Sequence, residues 1–251
     1  MFQSFLIAFS MYSKIPVPQV EWNEKSMRYA MCFFPLIGVV IGGVFAGVYW
    51  CLENYFTGKI FDTAILTAIP FWITGGIHMD GFIDTVDARR SYGDREKKLE
   101  ILKDPHVGAF AVLFTIIYIM VLYGCYSEIT WENIWVLVLG FIFSRAFSAL
   151  ALVLFPKAKK EGTLAAFSKE AGQGAVVCST IVVILVGFIA GLLFFRVRFL
   201  LAFLAGCGVF GYYRWFSWKE FGGITGDLAG YFLQMYEIVW AMVVVIGSCF
   251  V

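Results

Sequence analysis

Charged residues are scarce in this chain: Asp, Glu, Lys and Arg together make up 15% of its 251 residues, whereas 61% are hydrophobic. A soluble domain is about 45–50% apolar and about 25% charged. The composition therefore excludes an ordinary soluble protein and predicts a polytopic membrane protein. The formal net charge of +1 gives no indication of nucleic-acid binding.

Cysteine and histidine are too few and too scattered for the familiar sites that they build. The six cysteines lie mostly inside apolar runs without a CxxC pair, and neither of the two histidines is near a cysteine. We therefore expect the cysteines to be packing residues. The N-terminus has no basic segment and no obvious small-residue cleavage site, so no removable signal peptide is predicted. No linker or internal repeat divides residues 1–251, which are predicted to form one integral membrane domain.

Long apolar stretches predict about seven transmembrane helices, since a helix needs about 20 residues to cross the hydrocarbon core. Five of these stretches carry no charge, and two carry one charge each, Arg145 and Glu237. The predicted spans are 29–52, 63–79, 105–127, 133–155, 171–195, 199–213 and 228–251. Residues 2–12 are apolar but too short to cross, and they predict an interfacial or re-entrant helix. The predicted fold is an all-α transmembrane helix bundle.

The segments that connect these spans differ sharply in Lys and Arg content. Those on one side, 14–28, 80–104, 156–170 and 214–227, carry fifteen Lys and Arg residues in total, whereas those on the opposite side carry three. The positive-inside rule predicts that the Lys/Arg-rich side is cytoplasmic. We therefore expect a protein of the cytoplasmic membrane, with its active site facing the cytoplasm and its C-terminus outside.

The first part of segment 80–104 contains three carboxylates, Asp80, Asp84 and Asp87, spaced i, i+4 and i+7. On a helix they fall within an arc of about 60° and share one face. Like charges on one face repel each other unless a cation is bound, and carboxylates are hard ligands that Mg²⁺ combines with water and substrate phosphate. The alternative is a solvated acidic helix end. Basic residues suited to phosphate follow at once: Arg89, Arg90, Arg95, Lys97, Lys98 and Lys103. A metal site beside a basic patch predicts phosphoryl transfer.

Other polar residues on the predicted cytoplasmic side are candidates for the same site. Asp227 follows a Gly-rich turn and is either a fourth metal ligand or the cap of the last span. His78 and Asp104 are candidate proton acceptors for an attacking hydroxyl, although His78 could equally be a hydrogen-bonded interfacial histidine. Arg145 lies inside an apolar span, where it either binds phosphate from the bundle interior or pairs with Glu237.

The aspartate motif and several shorter blocks match one known family. The chain reads GGIHMDGFIDTVD at 75–87, where that family has GGLHLDGLADTxD, and LEILKD at 99–104, where it has LEIMKD. Shorter matches lie at 5–18, 34–38, 144–145 and 222–227. On these motifs the chain resembles the cobalamin synthase family, adenosylcobinamide-GDP ribazoletransferase. It departs from the family pattern at Ala88, at Leu102 and at 105–106, where the family has an Arg that could contact phosphate.

The resemblance implies the final reaction of adenosylcobalamin nucleotide-loop assembly. A hydroxyl of α-ribazole, or of its 5′-phosphate, attacks the cobinamide-linked phosphorus of adenosylcobinamide-GDP and displaces GMP. The residues by themselves indicate Mg²⁺-dependent phosphoryl transfer but do not identify the corrinoid. The expected partners are these two substrates and membrane lipid, without nucleic acid, and the choice between a monomer and a homo-oligomer stays open.

Two alternative functions are compatible with parts of the pattern. A CDP-alcohol phosphatidyltransferase also has aspartates at the membrane edge, but its motif has Ala-Arg where this chain continues differently after Asp80-Gly81. A secondary transporter would explain Arg145 and Glu237 inside spans, but it predicts an internal repeat, which the sequence lacks.

Overall fold

The computed structural model describes residues 1–55, 58–158 and 172–248, and within these ranges the chain is helical apart from loops and one isolated bridge between Lys157 and Ile224. The helices are α1 (Phe2–Tyr12), α2 (Glu24–Met27), a 3₁₀ turn (Ala30–Phe33), α3 (Phe34–Tyr55), α4 (Lys59–Thr74), α5 (Ile77–Arg90), α6 (Arg95–Ile101), α7 (Ala109–Ser127), α8 (Ile134–Leu154), α9 (Gln173–Phe221) and α10 (Gly226–Ser248). The all-α prediction is confirmed, as is the short N-terminal helix.

Five described helical segments are long and apolar enough to cross a membrane: Lys25–Tyr55, which includes α3, and helices α7, α8, α9 and α10. A sixth crossing is counted when α4 and α5, which meet at a 94° bend, are taken together as one broken span. Helix α9 contains two arms, because Arg196 has a non-helical backbone with φ 49°. The rings of Phe188 and Phe203 are 4.7 Å apart, whereas straight helix would separate these residues by about 22 Å. With each arm counted as a crossing, the total agrees with the predicted seven.

The Lys/Arg-rich segments meet at one end of the bundle, here called the basic end and formed by residues 14–28, 80–104, 156–158 and 214–227. Two contacts join these segments: Lys98 Nζ to Glu220 Oε2 at 3.1 Å, and the Ile224 N–H to the Pro156 carbonyl at 2.8 Å. A third, from the Gly172 N–H to the Arg28 carbonyl at 2.9 Å, connects segment 14–28 to the residue that precedes α9. The remainder of the predicted segment 156–170 lies outside the described residues. The predicted grouping of these segments on one side is therefore confirmed for the described part.

Contacts at the opposite end of the bundle agree with this grouping. Arg198, beside the turn between the arms of α9, lies 3.2 Å from Glu132 in the loop between α7 and α8. Asn133 in the same loop donates a hydrogen bond to Ser248 near the described C-terminal end, at 3.4 Å. Arg198 and Glu132 belong to segments that the charge pattern assigns to this side, and Asn133 and Ser248 lie at the ends of predicted spans that this side joins.

The span predicted at 63–79 is wrong at its C-terminal boundary, because α4 ends at Thr74. Gly75 and Gly76 follow with φ angles of 66° and 77°, a left-handed conformation that glycine adopts without the steric cost of a Cβ. These two residues turn the chain by 94° into α5. Helix α5 therefore lies at the basic end instead of extending the crossing, and it carries the three predicted metal ligands there.

Helix α5 packs against the first turns of α10 through two glycines. A Cβ built on Gly81 would lie 2.6 Å from the carbonyl oxygen of Asp227, and one built on Gly230 would lie 2.9 Å from the carbonyl oxygen of His78. Real Cβ atoms do not approach backbone so closely, so the crossing requires glycine at both positions. This contact fixes the position of Asp227 relative to the aspartates of α5.

Candidate active site

Four carboxylates lie near one another at the basic end, three on α5 and Asp227 on the first turn of α10. The pKa of Asp84 is raised to about 6, first because the carboxyl is partly buried and then because the charges of Asp80, Asp227 and Asp87 act on it. Asp80, Asp87 and Asp227 are therefore all within electrostatic reach of Asp84, and these four carboxylates are called the acidic group below. Among the described residues, no three His, Cys, Asp or Glu side chains are grouped closely enough to hold a metal ion by themselves.

Asp87 has a second role that the sequence did not reveal. The backbone N–H of Gly108 donates a hydrogen bond to Asp87 Oδ2 at 3.2 Å, and Gly108 immediately precedes α7. A carboxylate at this position satisfies a donor at the start of the helix and interacts favourably with its dipole. A Cβ on Gly108 would overlap the carboxylate. Asp87 therefore connects α5 to α7 in addition to interacting with the neighbouring carboxylate of Asp84.

The start of α10 has a cap that does not require the Asp227 side chain. Thr225 Oγ1 accepts a hydrogen bond from the N–H of Leu228 at 3.2 Å, which is the usual geometry of an N-cap threonine. Thr225 Oγ1 also lies 3.4 Å from Asp227 Oδ2. The capping function that we considered for Asp227 is thus carried by its neighbour, and the role of Asp227 as a metal ligand stays a prediction.

A cavity of about 240 Å³ opens beside the acidic group, between α1, α3, α5, α8 and α10. Its polar lining includes Asp80, Asp227, His78 and Ser148. Asp80 is exposed and Asp227 is half-buried, so the carboxylates lie between this interior space and the surface of the basic end. A ligand in the cavity would thus sit directly beside the predicted metal ligands.

His78 is buried in the wall of this cavity, with only 4% of its surface exposed. Its ring stacks on Tyr12 at 6.1 Å between centroids and contacts the ring of Phe34 at 6.0 Å. Burial, followed by the charge of Arg145, lowers the pKa of His78 to about 3. The imidazole is therefore neutral at pH 7. Its Nε2 atom is buried and has no hydrogen-bond partner among the described residues.

Arg89, a predicted phosphate ligand, makes contacts that join α5 to α9 and α10. Its Nη1 atom donates to the hydroxyl of Tyr231 at 2.8 Å, and its Nη2 atom donates to the hydroxyl of Tyr212 at 2.7 Å and to Glu220 at 3.2 Å. Three partners on two helices are typical of a residue that holds elements together. The guanidinium of Arg90 lies over the ring of Phe114 at 4.3 Å, and Arg90 is exposed.

Lys103 and Asp104 occupy the loop between α6 and α7, and both are exposed. Asp104 Oδ1 accepts a hydrogen bond from the backbone N–H of His106 at 3.0 Å and lies 2.7 Å from its Nδ1 atom. These bonds lower the pKa of Asp104, which makes the carboxylate a weaker base. Neither Lys103 nor Asp104 is among the residues that line the cavity. The structure therefore brings His78 to the cavity but leaves these two residues outside it.

Arg145 forms the ion pair with Glu237 that we considered as its structural alternative. Arg145 is 1% exposed, and its Nη1 atom donates to the Glu237 carboxylate, to Ser144 Oγ at 2.8 Å and to the Phe141 carbonyl at 3.0 Å. Ser144 Oγ in turn donates to Glu237 at 3.0 Å. These bonds join α8 to α10 inside the bundle. The phosphate contact predicted for Arg145 is an additional role that stays a prediction.

Helix α1 contributes to the site, which its composition did not predict. Met11 and Tyr12, at the end of α1, line the cavity, and the backbone N–H of Lys14 bonds to the Ile73 carbonyl at 2.7 Å just before the bend. Composition identified this helix only as too short to cross. The family-like block at 5–18 was the signal that could have placed it at the site.

The fold and the site define an integral membrane protein with a carboxylate group and an adjoining cavity at one end of its helix bundle. A family model described as cobalamin-5-phosphate synthase matches residues 4–245. The chain therefore belongs to that family, as its motifs predicted.

Individual relatives cover nearly the whole chain. The adenosylcobinamide-GDP ribazoletransferase of Lachnoclostridium phytofermentans is 45% identical over 245 residues, which are 98% of this chain and 94% of the relative. Proteins of the same name are 33% identical in Clostridium botulinum, over 95% of each chain, and 32% identical in a Geobacillus species, over 97% of this chain and 96% of the relative. No solved structure matches this chain.

Proposed function

We propose that this protein is an adenosylcobinamide-GDP ribazoletransferase, which joins adenosylcobinamide-GDP to α-ribazole or its 5′-phosphate and releases GMP. The structural observation that carries this proposal is the convergence of Asp80, Asp84, Asp87 and Asp227 beside a cavity. Full-length similarity to relatives of that name supports the substrates. None of the relatives named above is a phosphatidyltransferase or a transporter.

The reaction exchanges the phosphoanhydride bond of the diphosphate for a phosphate ester bond. A hydroxyl oxygen of the ribazole forms a bond to the phosphorus attached to cobinamide, the bond from that phosphorus to the GMP oxygen breaks, and the hydroxyl proton passes to a base. Asp104 and His78 are the bases suggested by the sequence, and of the two only His78 lines the cavity. The protein must also hold two substrates side by side, which requires a polar site for the diphosphate and a separate site for the acceptor.

Mg²⁺ is the cofactor that suits the chemistry of this donor set. The pKa of Asp84 is raised by partial burial and then by the negative charges of Asp80, Asp227 and Asp87, and a bound cation would offset the repulsion among these carboxylates. Mg²⁺ is commonly held by one or two carboxylates, with water and substrate phosphates filling its remaining positions. When bound, it neutralises charge on the diphosphate and orients the attacking and leaving groups. Asp80, Asp84, Asp87 and Asp227 are the residues that would hold it.

Fixed cations near the diphosphate are expected from the exposed part of the basic end. Lys103 and Arg90 are exposed there and can reach phosphate oxygens without first breaking a buried ion pair. Arg89 is held by two tyrosines and Glu220, so a phosphate contact from it would have to add to these bonds. We therefore assign the first phosphate contacts to Lys103 and Arg90.

The proposed location is the cytoplasmic membrane, with the basic end facing the cytoplasm. Fifteen Lys and Arg residues on the segments of this end, against three on the other segments, support this orientation. The substrates also carry phosphate groups, which would be handled on the side where nucleotides are available. The site would then be open to soluble substrates while the bundle stays in lipid.

The test is product formation by the purified protein in lipid nanodiscs. Adenosylcobinamide-GDP, Mg²⁺ and either α-ribazole or its 5′-phosphate are supplied, and GMP and the corrinoid product are quantified by chromatography and mass spectrometry. We expect one GMP per joined corrinoid, no reaction in excess EDTA, and recovery when Mg²⁺ is restored. CMP release from a CDP-lipid, or GMP release without joining to the ribazole, would overturn the proposal.

A further inference from the structure

Asp80 also lines a second cavity, here called the bend cavity, which lies between α1, the bend from α4 to α5, and α7. Its volume is about 640 Å³, within the range of about 300–1,000 Å³ that is usual for small-molecule sites. Phe71 and Ile119 contribute apolar surface to it, whereas Asp80 and Lys14 contribute charged groups of opposite sign. One of the predicted metal ligands therefore borders a ligand-sized space that also contains a cation.

Lys14 is the only Lys or Arg among the described residues that line the bend cavity or the smaller cavity beside it. Lys103 and Arg90, the exposed cations assigned to phosphate above, line neither of these two spaces. Lys14 is exposed and forms no ion pair with a carboxylate in the described ranges. Its ammonium group can therefore bind an anion without first losing a protein partner.

The side chain of Lys14 packs on the bend that precedes α5. Its backbone N–H donates to the Ile73 carbonyl at 2.7 Å, and a Cβ built on Gly75 would lie 2.3 Å from Lys14 Cε, 2.7 Å from Cγ and 3.0 Å from Cδ. The stem of Lys14 thus fills the space that a side chain at position 75 would need. A long side chain with a packed stem loses less conformational freedom when its charged end binds a ligand. The bend that positions Asp80 therefore positions Lys14 as well.

We infer that Lys14 binds the diphosphate of the donor substrate, adenosylcobinamide-GDP, in the bend cavity. The inference rests on the proposed function, which makes a nucleoside diphosphate derivative the donor. Carboxylates hold a metal ion but repel the phosphate groups themselves. A fixed cation beside them attracts the diphosphate and offsets the charge that develops as GMP leaves. Lys14 supplies such a cation in the same cavity as Asp80.

Two other phosphate groups are available to an exposed lysine at this end of the bundle, that of a lipid head group and the 5′-phosphate of the acceptor. The diphosphate is favoured over both because it is the group that Mg²⁺ at the acidic group is expected to bind. Asp80, a member of that group, and Lys14 line one cavity. The experiment below separates the three sources of phosphate.

Three variants test the charge of Lys14. Lys14→Met removes the charge and keeps an unbranched apolar stem over Gly75, whereas Lys14→Arg keeps a positive charge. Lys25→Met is the matched control, because Lys25 is an exposed residue of the same segment 14–28 and lines neither cavity. It makes the same change in net charge and in the charge that orients the protein in the membrane. Each variant is first checked for a monodisperse profile and an unfolding temperature near that of the parent.

The experiment measures equilibrium binding of adenosylcobinamide-GDP with Mg²⁺ and no acceptor, in nanodiscs of phosphatidylcholine, which carries no net charge. Binding of α-ribazole and of α-ribazole 5′-phosphate is measured in parallel. We expect Lys14→Met to weaken donor binding about tenfold, because a charge-assisted hydrogen bond is lost, and Lys14→Arg to restore most of it. This difference from the parent should shrink at high salt, since ions screen an exposed cation. Binding of α-ribazole, and all binding by Lys25→Met, should match the parent.

Several results would overturn the inference while the parent still joins both substrates, which leaves the proposed function intact. Parental donor binding by Lys14→Met is the first, and an equal loss in Lys25→Met, which would indicate a general effect of charge, is the second. A loss confined to α-ribazole 5′-phosphate would place the phosphate of the acceptor at Lys14 instead. A difference that appears only in nanodiscs containing phosphatidylglycerol would assign Lys14 to a lipid head group. If the parent releases no GMP and joins nothing, the proposed function itself fails.

Discussion

The backbone of Gly81 in α5 lies directly against the backbone of Asp227 in α10, so closely that a Cβ on Gly81 would be 2.6 Å from the Asp227 carbonyl oxygen. Neither partner in this contact is a flexible side chain that could move aside. The contact therefore sets the separation between the aspartates of α5 and the carboxylate of Asp227. It also makes the geometry of the acidic group sensitive to a single methyl group.

We predict that Gly81→Ala lowers kcat/KM for GMP release by about 10²-fold, because displacement of catalytic groups by about 1 Å costs roughly this much. The matched control is Gly43→Ala in α3, where an added Cβ meets no described atom within 4 Å. This control should keep parental activity, since alanine is favoured over glycine in a helix by about 1 kcal/mol. Parental activity in Gly81→Ala would show that the close crossing does not position the site.

We predict that Asp84→Asn abolishes activity yet stabilises the metal-free protein at pH 7. The pKa of Asp84 is about 6 in the folded protein against 3.8 as its ordinary value, so the stability that this group contributes is present below about pH 4 and is lost as the pH rises through about 6. Asn carries no charge, and relief of three like-charge pairs should add about 1 kcal/mol at pH 7. Unfolding of parent and variant in EDTA between pH 4 and pH 8 measures the difference, which should vanish toward pH 4.

The control for Asp84→Asn is Glu96→Gln, which removes a carboxylate from an exposed position on α6. It should keep both parental activity and the parental dependence of unfolding on pH. An Asp84→Asn variant that is active at limiting Mg²⁺ would exclude Asp84 as a metal ligand. A variant less stable than the parent at pH 7 would show that the carboxylate is held by favourable contacts and not strained by its neighbours.

We predict that Arg145→Ala and Glu237→Ala each destabilise the fold by about 3–5 kcal/mol, because each leaves a buried charge without its partner. A double variant, Arg145→Met with Glu237→Leu, should recover most of this stability, since an apolar pair of similar volume avoids both buried charges. Unfolding in detergent of the parent, both single variants and the double variant measures the recovery. Failure of the double variant to recover would mean that the other hydrogen bonds of Arg145 dominate.

The activity of the same double variant decides whether Arg145 also binds phosphate. Arg145 is 1% exposed and its Nη1 atom is held by Glu237, Ser144 and the Phe141 carbonyl, so we expect activity to return together with the fold. A stable but inactive double variant would support the phosphate contact predicted from the sequence. In that case Arg145→Lys should also be inactive, because an ammonium cannot reproduce the bidentate geometry of a guanidinium.

We predict that a cysteine introduced at Ser91 reacts with a membrane-impermeant maleimide from the cytoplasmic side, and that one introduced at Tyr55 reacts from the outside. Ser91 follows α5 at the basic end, whereas Tyr55 is the last residue of α3 at the opposite end. Labelling is compared in intact cells and inverted vesicles, with the six native cysteines replaced and activity retained. Labelling of the Ser91→Cys variant from the outside alone would reverse the proposed orientation.

Features that depend on local composition were predictable from the sequence. The apolar runs identified the crossing helices and the short helix α1, because the cost of burying charge in lipid acts on each segment separately. The i, i+4, i+7 spacing placed Asp80, Asp84 and Asp87 on one face of what proved to be a single helix, α5. The distribution of Lys and Arg likewise identified the segments that meet at the basic end.

The sequence by itself thus determined an all-helical membrane fold, the grouping of its loops and the identity of its acidic residues. Only the tertiary structure decided that the chain turns by 94° at Gly75 and Gly76, that Arg145 selects Glu237 as its partner, and that Tyr12 of α1 helps to enclose the cavity. Each of these outcomes depends on contacts between residues far apart in the chain. Hydropathy and periodicity report how one segment meets lipid or water, but not which distant segment it will pack against.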